Sequence, residues 1–256
     1  MSSYFIYDSI NMYRSDNTVS EGQMTDSATP TFSASDTLTS HERSSDQNIG
    51  TIISGIADRD AIEYAVGSSV TANAAAVYFT GDDNVSSGTI MNFFVDTDRA
   101  SLPNKGTITA VSAAGWATTD LTETTGTKFF VEFTGAVTNV SEVLIGSKLS
   151  FEVEPDVNIQ SSIDYENSIQ RSLGGVEYAL NVNPGQEVTT IGFQNISSTF
   201  KTNLTTMQDA LKGEAKKFVW YDGSSFHWVR LDKPMTFTEI ADGRFSTQLV
   251  LRQQIQ

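Results

Sequence analysis

The sequence predicts a mainly β protein: an N-terminal β-sandwich of jelly-roll type, followed by a small α+β domain with one helix. Three observations carry this. From Thr51 onward, short runs rich in β-branched and aromatic residues alternate with turn-forming clusters such as GDDN, DTDR and LPNKG. One segment alone has a helical period, with Phe200, Leu204, Met207 and Leu211 spaced by four, three and four residues. Pro155-Asp156 ends an alternating strand and separates the strand-rich region from the one that holds the helix. The chain therefore divides into an extended polar arm (1–50), a sandwich (51–154) and an α+β domain (155–256).

Taken in order, residues 4–10 read as a short strand. Ser15 to Gly50 is dominated by Ser, Thr, Asp, Asn and Gln and buries too little to offset its own ordering entropy. That composition predicts an arm pinned by neighbours or a mobile linker, with Met12, Tyr13, Phe32 and Leu38 as sparse anchors. Ile52, Ile53 and Ile56 open the sandwich, and Ala61–Val66, Ala75–Thr80, Thr89–Val95, Lys128–Phe133 and Lys148–Val153 are its strands. TTGT before Lys128 reads as a turn, and Trp116 as a core or rim aromatic.

In the last hundred residues, Arg171-Ser172-Leu173-Gly174-Gly175 is a two-glycine turn leading into the run Val176–Val182. Ser197 or Ser198 caps the helix and Gly213 ends it. Lys217–Tyr221 and Phe226–Leu231, joined by Asp222-Gly223-Ser224, predict a hairpin. The last strand, Arg244–Arg252, places Phe245, Thr247, Leu249 and Leu251 on one face. The helical stripe makes Leu204 and Leu211 core residues. Lys201 is expected on the opposite face, where its loss costs less than about 0.5 kcal/mol.

Composition narrows the function classes. Of 256 residues, 31 are acidic and 16 basic, a formal charge of −15. Such a surface repels phosphate backbones and anionic lipid, so no nucleic-acid or membrane partner is expected. The chain has no cysteine, which removes disulfides, thiolate chemistry and Cys-ligated zinc. MSSYFIYDSI lacks a basic n-region and carries Asp8, so no signal peptide is read there.

Marks of catalysis are few. His41 lies in the polar arm and His227 in the predicted hairpin, neither near a recognisable nucleophile; no G-x-S-x-G, phosphate-cradling loop or H-E-x-x-H occurs. No catalytic residue, cofactor or metal is therefore assigned. Asp58-Arg59-Asp60, Asp82-Asp83-Asn84 and Asp96-Thr97-Asp98 offer oxygens but lack the spacing of a calcium loop. The N-x-[ST] triplets at Asn84, Asn139, Asn195 and Asn203 are expected by chance in so Asn- and Thr-rich a chain. Trp220, Tyr221, Phe226 and Trp228 form a cluster that suits a sugar platform, an interface or a domain core. The Arg171–Gly175 turn reads as a sharp bend needing φ > 0 and, compatibly, as a docking loop. The candidate interface residues are Arg171, Leu173, Gly174, Gly175, Tyr178, Trp220, Tyr221 and Trp228.

The order IG…L-x-F…P…N, a polar spacer, RSLGG-x-x-Y, a helix and a closing FST-x-L-x-L strand resembles minor tail proteins of tailed bacteriophages, the distal-tail or baseplate group. The resemblance runs from about residue 45 to the end. It implies a non-enzymatic structural virion protein, assembled in the host cytoplasm, forming a ring or adaptor between tail tube and tip. It also implies a cyclic, six-fold homo-oligomer whose partners are the tail-tube protein and tail-tip hub or fibre proteins. One departure is plain: the best-known members carry their ring-forming domain at the N-terminus, whereas the matching pattern here is C-terminal. A glycan-binding β-sandwich module and a hydrolase with hidden acids are the other two readings.

Overall fold

The computed structural model describes residues 3–7, 18–24, 32–34, 53, 56–81, 90–96, 104–110, 113–135, 140–156, 160–165, 167–171, 177–181 and 185–254. Two compact units are present, Tyr4–Leu149 and Ser150–Ile255, the latter joined by Met1–Ser3. The fold is mainly β with one helix, as the sequence predicts.

The first unit contains β1 (Tyr4–Tyr7), β2 (Thr18–Met24), β3 (Phe32–Ala34), β4 (Asp60–Phe79), β5 (Ile90–Asp96), β6 (Asn104–Thr109), β7 (Gly115–Thr134) and β8 (Val140–Ser150). They pair in the order β6-β5-β7-β4-β8-β1, with β2 also on β4 and β3 on β2. β4 and β7 are 20 residues each and pair along their length, with register shifts between Ala65 and Val70 and between Ala72 and Ala74. Each bulge bends its strand and raises its twist. The start of β4 can then serve β2 while its end serves β8. Tyr64, Phe129 and Phe93 from one part of the sheet share a buried core with Val77, Phe79, Val143 and Ile145 from the other. One bent sheet thus closes on itself in the manner of a sandwich.

Two expectations change here. Ala61–Val66 and Ala75–Thr80 are ends of a single strand, because Gly67, Ser68 and Ser69 are exposed and break the alternation without ending the pairing. The TTGT segment likewise lies inside β7. Part of the expected arm is also in the sheet: Thr18 pairs with Ala65 and Gln23 with Asp60. A polar strand needs no core of its own when its backbone groups bond to a buried neighbour. Met12, Tyr13, Leu38 and His41 lie outside the described residues. Trp116 is buried, edge-on to Tyr78 with ring centroids 5.3 Å apart.

The second unit contains β9 (Gln160–Asp164), β10 (Asn167–Arg171), β11 (Glu177–Asn181), β12 (Gln186–Ser197), α1 (Ser198–Ala210), β13 (Lys217–Tyr221), β14 (Phe226–Leu231), β15 (Thr236–Ala241) and β16 (Arg244–Gln253). β16 is its spine. β12 runs along one side, while β15 and β14 share the other side end to end, through residues 244–248 and 251–253 of β16. β13 extends the sheet beyond β14 and β9 beyond β12; β10 and β11 form a separate antiparallel pair.

Alternation gives this sheet two unlike faces. Phe193 pairs with Thr247 and Ile191 with Leu249, so these residues share a face with Leu251. The helix covers that face, with Phe200, Leu204 and Met207 buried and the Phe200 ring 5.9 Å from that of Phe193. Ser197 is the N-cap, its Oγ accepting from the Phe200 N–H at 3.1 Å. Gly213, at φ +67°, ends the helix and donates to the Gln208 carbonyl at 3.0 Å. On the exposed side, the hydroxyls of Thr202, Thr205 and Thr206 donate to the carbonyls of Ser198, Lys201 and Thr202. Lys201 does not point away: its Nζ sits 4.0 Å from the Phe245 ring centroid and 5.8 Å from that of Phe237. A lysine at the flank of the stripe lays its stem over the apolar face and keeps only its tip near water.

Candidate binding groove on the open sheet face

The opposite face of the same sheet holds the candidate site. Gly192 pairs with Gln248, Thr236 with Gln248 and Thr238 with Ser246, which puts all five on the side away from α1. Two bulges shape its end. In β12 the register shifts between Phe193 and Ile196, with Asn195 at φ 61° and its carbonyl accepting from Arg244 Nη1 at 3.3 Å. In β15 it shifts between Glu239 and Ala241, leaving Ile240 as the extra residue, 52% exposed on the groove wall. Bulges re-aim side chains that a regular ladder would fix, and here they turn Gln194 and Ile240 into one concavity of about 470 Å³.

Asp156 closes one side of the groove. Its backbone N–H donates to the Gly192 carbonyl at 2.8 Å, and its carboxylate lies over Gly192. A Cβ at position 192 would stand 3.1 Å from Asp156 Oδ2, a contact that requires the carboxylate to yield. Glycine is what lets the acid approach the strand.

The side chains of Asp156, Gln194, Thr238, Ser246 and Gln248 make no hydrogen bond or ion pair among the described residues. Arg252, on the same face, is the opposite case. Its Nε donates to Asp232 Oδ1 at 2.6 Å, its Nη2 to Asp164 Oδ2 at 2.8 Å and its Nη1 to Gln186 Oε1 at 3.3 Å. The hydrogen bond to Asp232, then that to Asp164, hold its pKa above the ordinary guanidinium value. Arg244 faces Glu152 at 3.9 Å. These two arginines are thus engaged by acids, while Arg230, directly opposite Arg252 on the same face, lies outside the groove lining. Among the described residues no group of three or more His, Asp or Glu is placed to hold a metal ion.

The sequence-derived candidates lie elsewhere. Trp220, Tyr221 and Trp228 are 4%, 8% and 3% exposed, so they pack within the protein and present no platform. Register places two of them ring on ring, Trp220 opposite His227 and Tyr221 opposite Phe226, while Trp228 opposes Val219. His227 stacks on Trp220, with centroids 4.8 Å apart, and its Nε2 lies 2.9 Å from Asp222 Oδ2. Burial pushes the Asp222 carboxyl up, but hydrogen bonds from His227, the Ser225 and Ser224 amides and the Ser224 hydroxyl outweigh it and leave the pKa at about 2. This histidine locks a turn. Arg171 ends β10 opposite Glu177, and Tyr178 opposes Gln170. Leu173, Gly174 and Gly175 lie outside the described residues, as do Asp82-Asp83-Asn84, Thr97 and Asp98. Asp58 and Asp60 accept backbone N–H groups of Gly135 and Ala57, the ordinary work of turn acids.

The protein is a mainly β chain with an open polar groove. No protein-family profile matches it, and no curated protein sequence does. Solved structures are similar to it over about half its length. One is the carbohydrate-binding module, family 32, of AlyQ in complex with 4,5-unsaturated mannuronic acid: 22% identity, covering 44% of this chain and 85% of that one, TM-score 0.34. Another is the family 32 module from C. perfringens NanJ in complex with galactose: 12% identity, 57% and 99% covered, TM-score 0.38. A third is a Streptococcus pneumoniae fucose-binding module: 15% identity, 54% and 94% covered, TM-score 0.38. At such scores the likeness assigns neither ligand nor site.

The phage tail reading is corrected by this comparison: the similar structures are carbohydrate-binding modules and glycoside hydrolases, and nothing among them points to a tail protein. The pattern behind that reading consists of alternating runs, a glycine turn and one helix, features that α+β sheets of many functions share. The six-fold ring, the tail-tube and hub partners and the virion location followed from it and are not carried forward.

Proposed function

We propose that the protein is a non-catalytic binding module that recognises a glycan through the groove formed by Asp156, β12, β15 and β16. The observation behind this is the set of five polar side chains, Asp156, Gln194, Thr238, Ser246 and Gln248, that line one concavity and are uncommitted among the described residues. Amides and hydroxyls both donate and accept, while the carboxylate accepts, which is the inventory a ring of sugar hydroxyls needs. Polar groups free of internal partners exchange bound water for ligand hydroxyls without breaking protein contacts. Ile240 adds an exposed aliphatic surface for the C–H face of a sugar ring. The groove volume falls within the range of small-ligand sites, roughly 300–1,000 Å³.

Catalysis is not part of the proposal. Glycoside hydrolysis needs two carboxyl groups facing each other across the bond, and Asp156 is the single acid among the described residues of the groove lining. Screening the full chain on a glycan array, followed by calorimetry on hits, tests the reading. The Gln194→Ala/Gln248→Ala double variant should weaken binding at least about tenfold, the equivalent of one or two lost hydrogen bonds, with the melting temperature unchanged. An array without hits, or a hit indifferent to both substitutions, would reject the groove as the site.

A further inference from the structure

We infer that the groove selects its glycan by charge, taking a sugar that bears a protonated amino group, with the ammonium seated on Asp156. This rests on the glycan reading above and adds the chemical class of the ligand.

The inference starts from the balance of charge on the open face. Arg252 is held by Asp232 and Asp164, Arg244 faces Glu152, and Arg230, opposite Arg252, stands outside the groove lining. Among the described residues Asp156 has no such partner and no basic side chain lines the groove. The pocket therefore carries one uncompensated negative charge amid neutral hydroxyls and amides. Its backbone is anchored at the groove by the bond from the Asp156 N–H to the Gly192 carbonyl, and the missing Cβ of Gly192 leaves room for Oδ2 over the strand. Closing a ligand over a lone carboxylate strips its water, and a cationic donor repays that loss better than a neutral hydroxyl. An ammonium brings three donors to the same spot, while the oxygens of Gln194, Gln248, Thr238 and Ser246 remain for the ring hydroxyls. A uronate or sulfated sugar would set like charges against each other, within a protein of formal charge −15.

The test uses the full chain and matched gluco- and galacto-configured oligosaccharides in three forms: free amine, N-acetylated amine and uronate. Binding is measured by calorimetry at constant ionic strength. The amine form should bind about tenfold more tightly than the N-acetylated form, as expected for a partly solvated charge-assisted hydrogen bond, and the uronate most weakly. Asp156→Asn should bring the three forms within about twofold of one another, while Glu214→Gln, which removes an exposed acid outside the groove, should leave the ranking intact. Gly192→Ala, which keeps the charge but obliges Oδ2 to give by a few tenths of an ångström, should narrow the preference. It also serves as the second variant should Asp156→Asn disturb folding. Equal binding of all three forms, a preference for the acetylated or uronate form, or an amine preference that survives in Asp156→Asn overturns this inference while leaving the glycan site standing. Binding of none of them overturns both.

Discussion

The two faces of the β12–β16–β15 sheet are built from the same strands and differ in how their side chains are spent. On the closed face Ile191, Phe193, Leu249 and Leu251 meet the helix stripe and are almost wholly buried. On the open face the residues of the same strands that line the groove include Gly192, Gln194, Ser246 and Gln248, polar or without a side chain and without internal partners among the described residues. Even on the open face the contrast recurs, since Arg252 is tied to two acids and an amide while Asp156 is tied by its backbone alone. Stability and recognition are thus separated by parity along each strand. A polar group already bonded within the protein supports the fold. One left unbonded in a concavity is available to a ligand.

Substitutions at matched positions should expose this division. The largest effect belongs to the closed face: Leu204→Ala should cost about 2–5 kcal/mol, the range for emptying a fully buried leucine site, read as a shift in the urea midpoint at constant m. Arg252→Met comes next. It strands Asp232, which is mostly shielded from water, and should cost about 1–3 kcal/mol by leaving a desolvated acceptor unpaired. Lys201→Ala should cost about 0.5–1 kcal/mol through loss of its contact with the Phe245 ring, more than its exposed-face assignment from sequence allows. Thr238→Ala and Ser246→Ala should change stability by less than about 0.5 kcal/mol and yet lower glycan affinity. If the open-face pair destabilised the protein as Arg252→Met does, the separation of roles between the faces would fail.

What could be read in advance was what repeats or punctuates locally. The helix was legible because Phe200, Leu204, Met207 and Leu211 keep one period and Ser197 and Gly213 bracket it. The hairpin was legible because Asp222-Gly223 separates two aromatic runs, and β13 and β14 have the predicted bounds. The long strands β4 and β7 were not, since bulges interrupt the alternation while pairing continues across them. The groove was illegible for a different reason: its walls come from residue 156, residues 192–194, 236–240 and 246–248, joined only by the register of three strands. Two weak signs were present. Gly192 interrupts a strand of larger residues, and Thr236, Thr238, Ser246 and Gln248 occupy the alternate positions of two adjacent runs. Both acquire meaning only once the register is known. The hairpin aromatics misled in the reverse direction, because adjacency in sequence cannot tell a packed cluster from a displayed one.

The threonines of the helix carry a consequence for how the second unit folds. Thr199, Thr202, Thr205 and Thr206, with Ser198 and Asn203, are six of the first nine helical residues and all disfavour helix. Three of the hydroxyls spend themselves on carbonyls one turn back, a bond that competes weakly with the helical ladder. No acid sits in the first turn and no base in the last, so the macrodipole goes unanswered. At thirteen residues the helix falls near the length at which even good helix formers are marginal in water. The segment is therefore a coil until Phe193, Leu249 and Leu251 are assembled to receive its stripe. In kinetic terms it belongs after the rate-limiting step: weakening Leu204 should leave the refolding rate nearly untouched and appear almost entirely as faster unfolding.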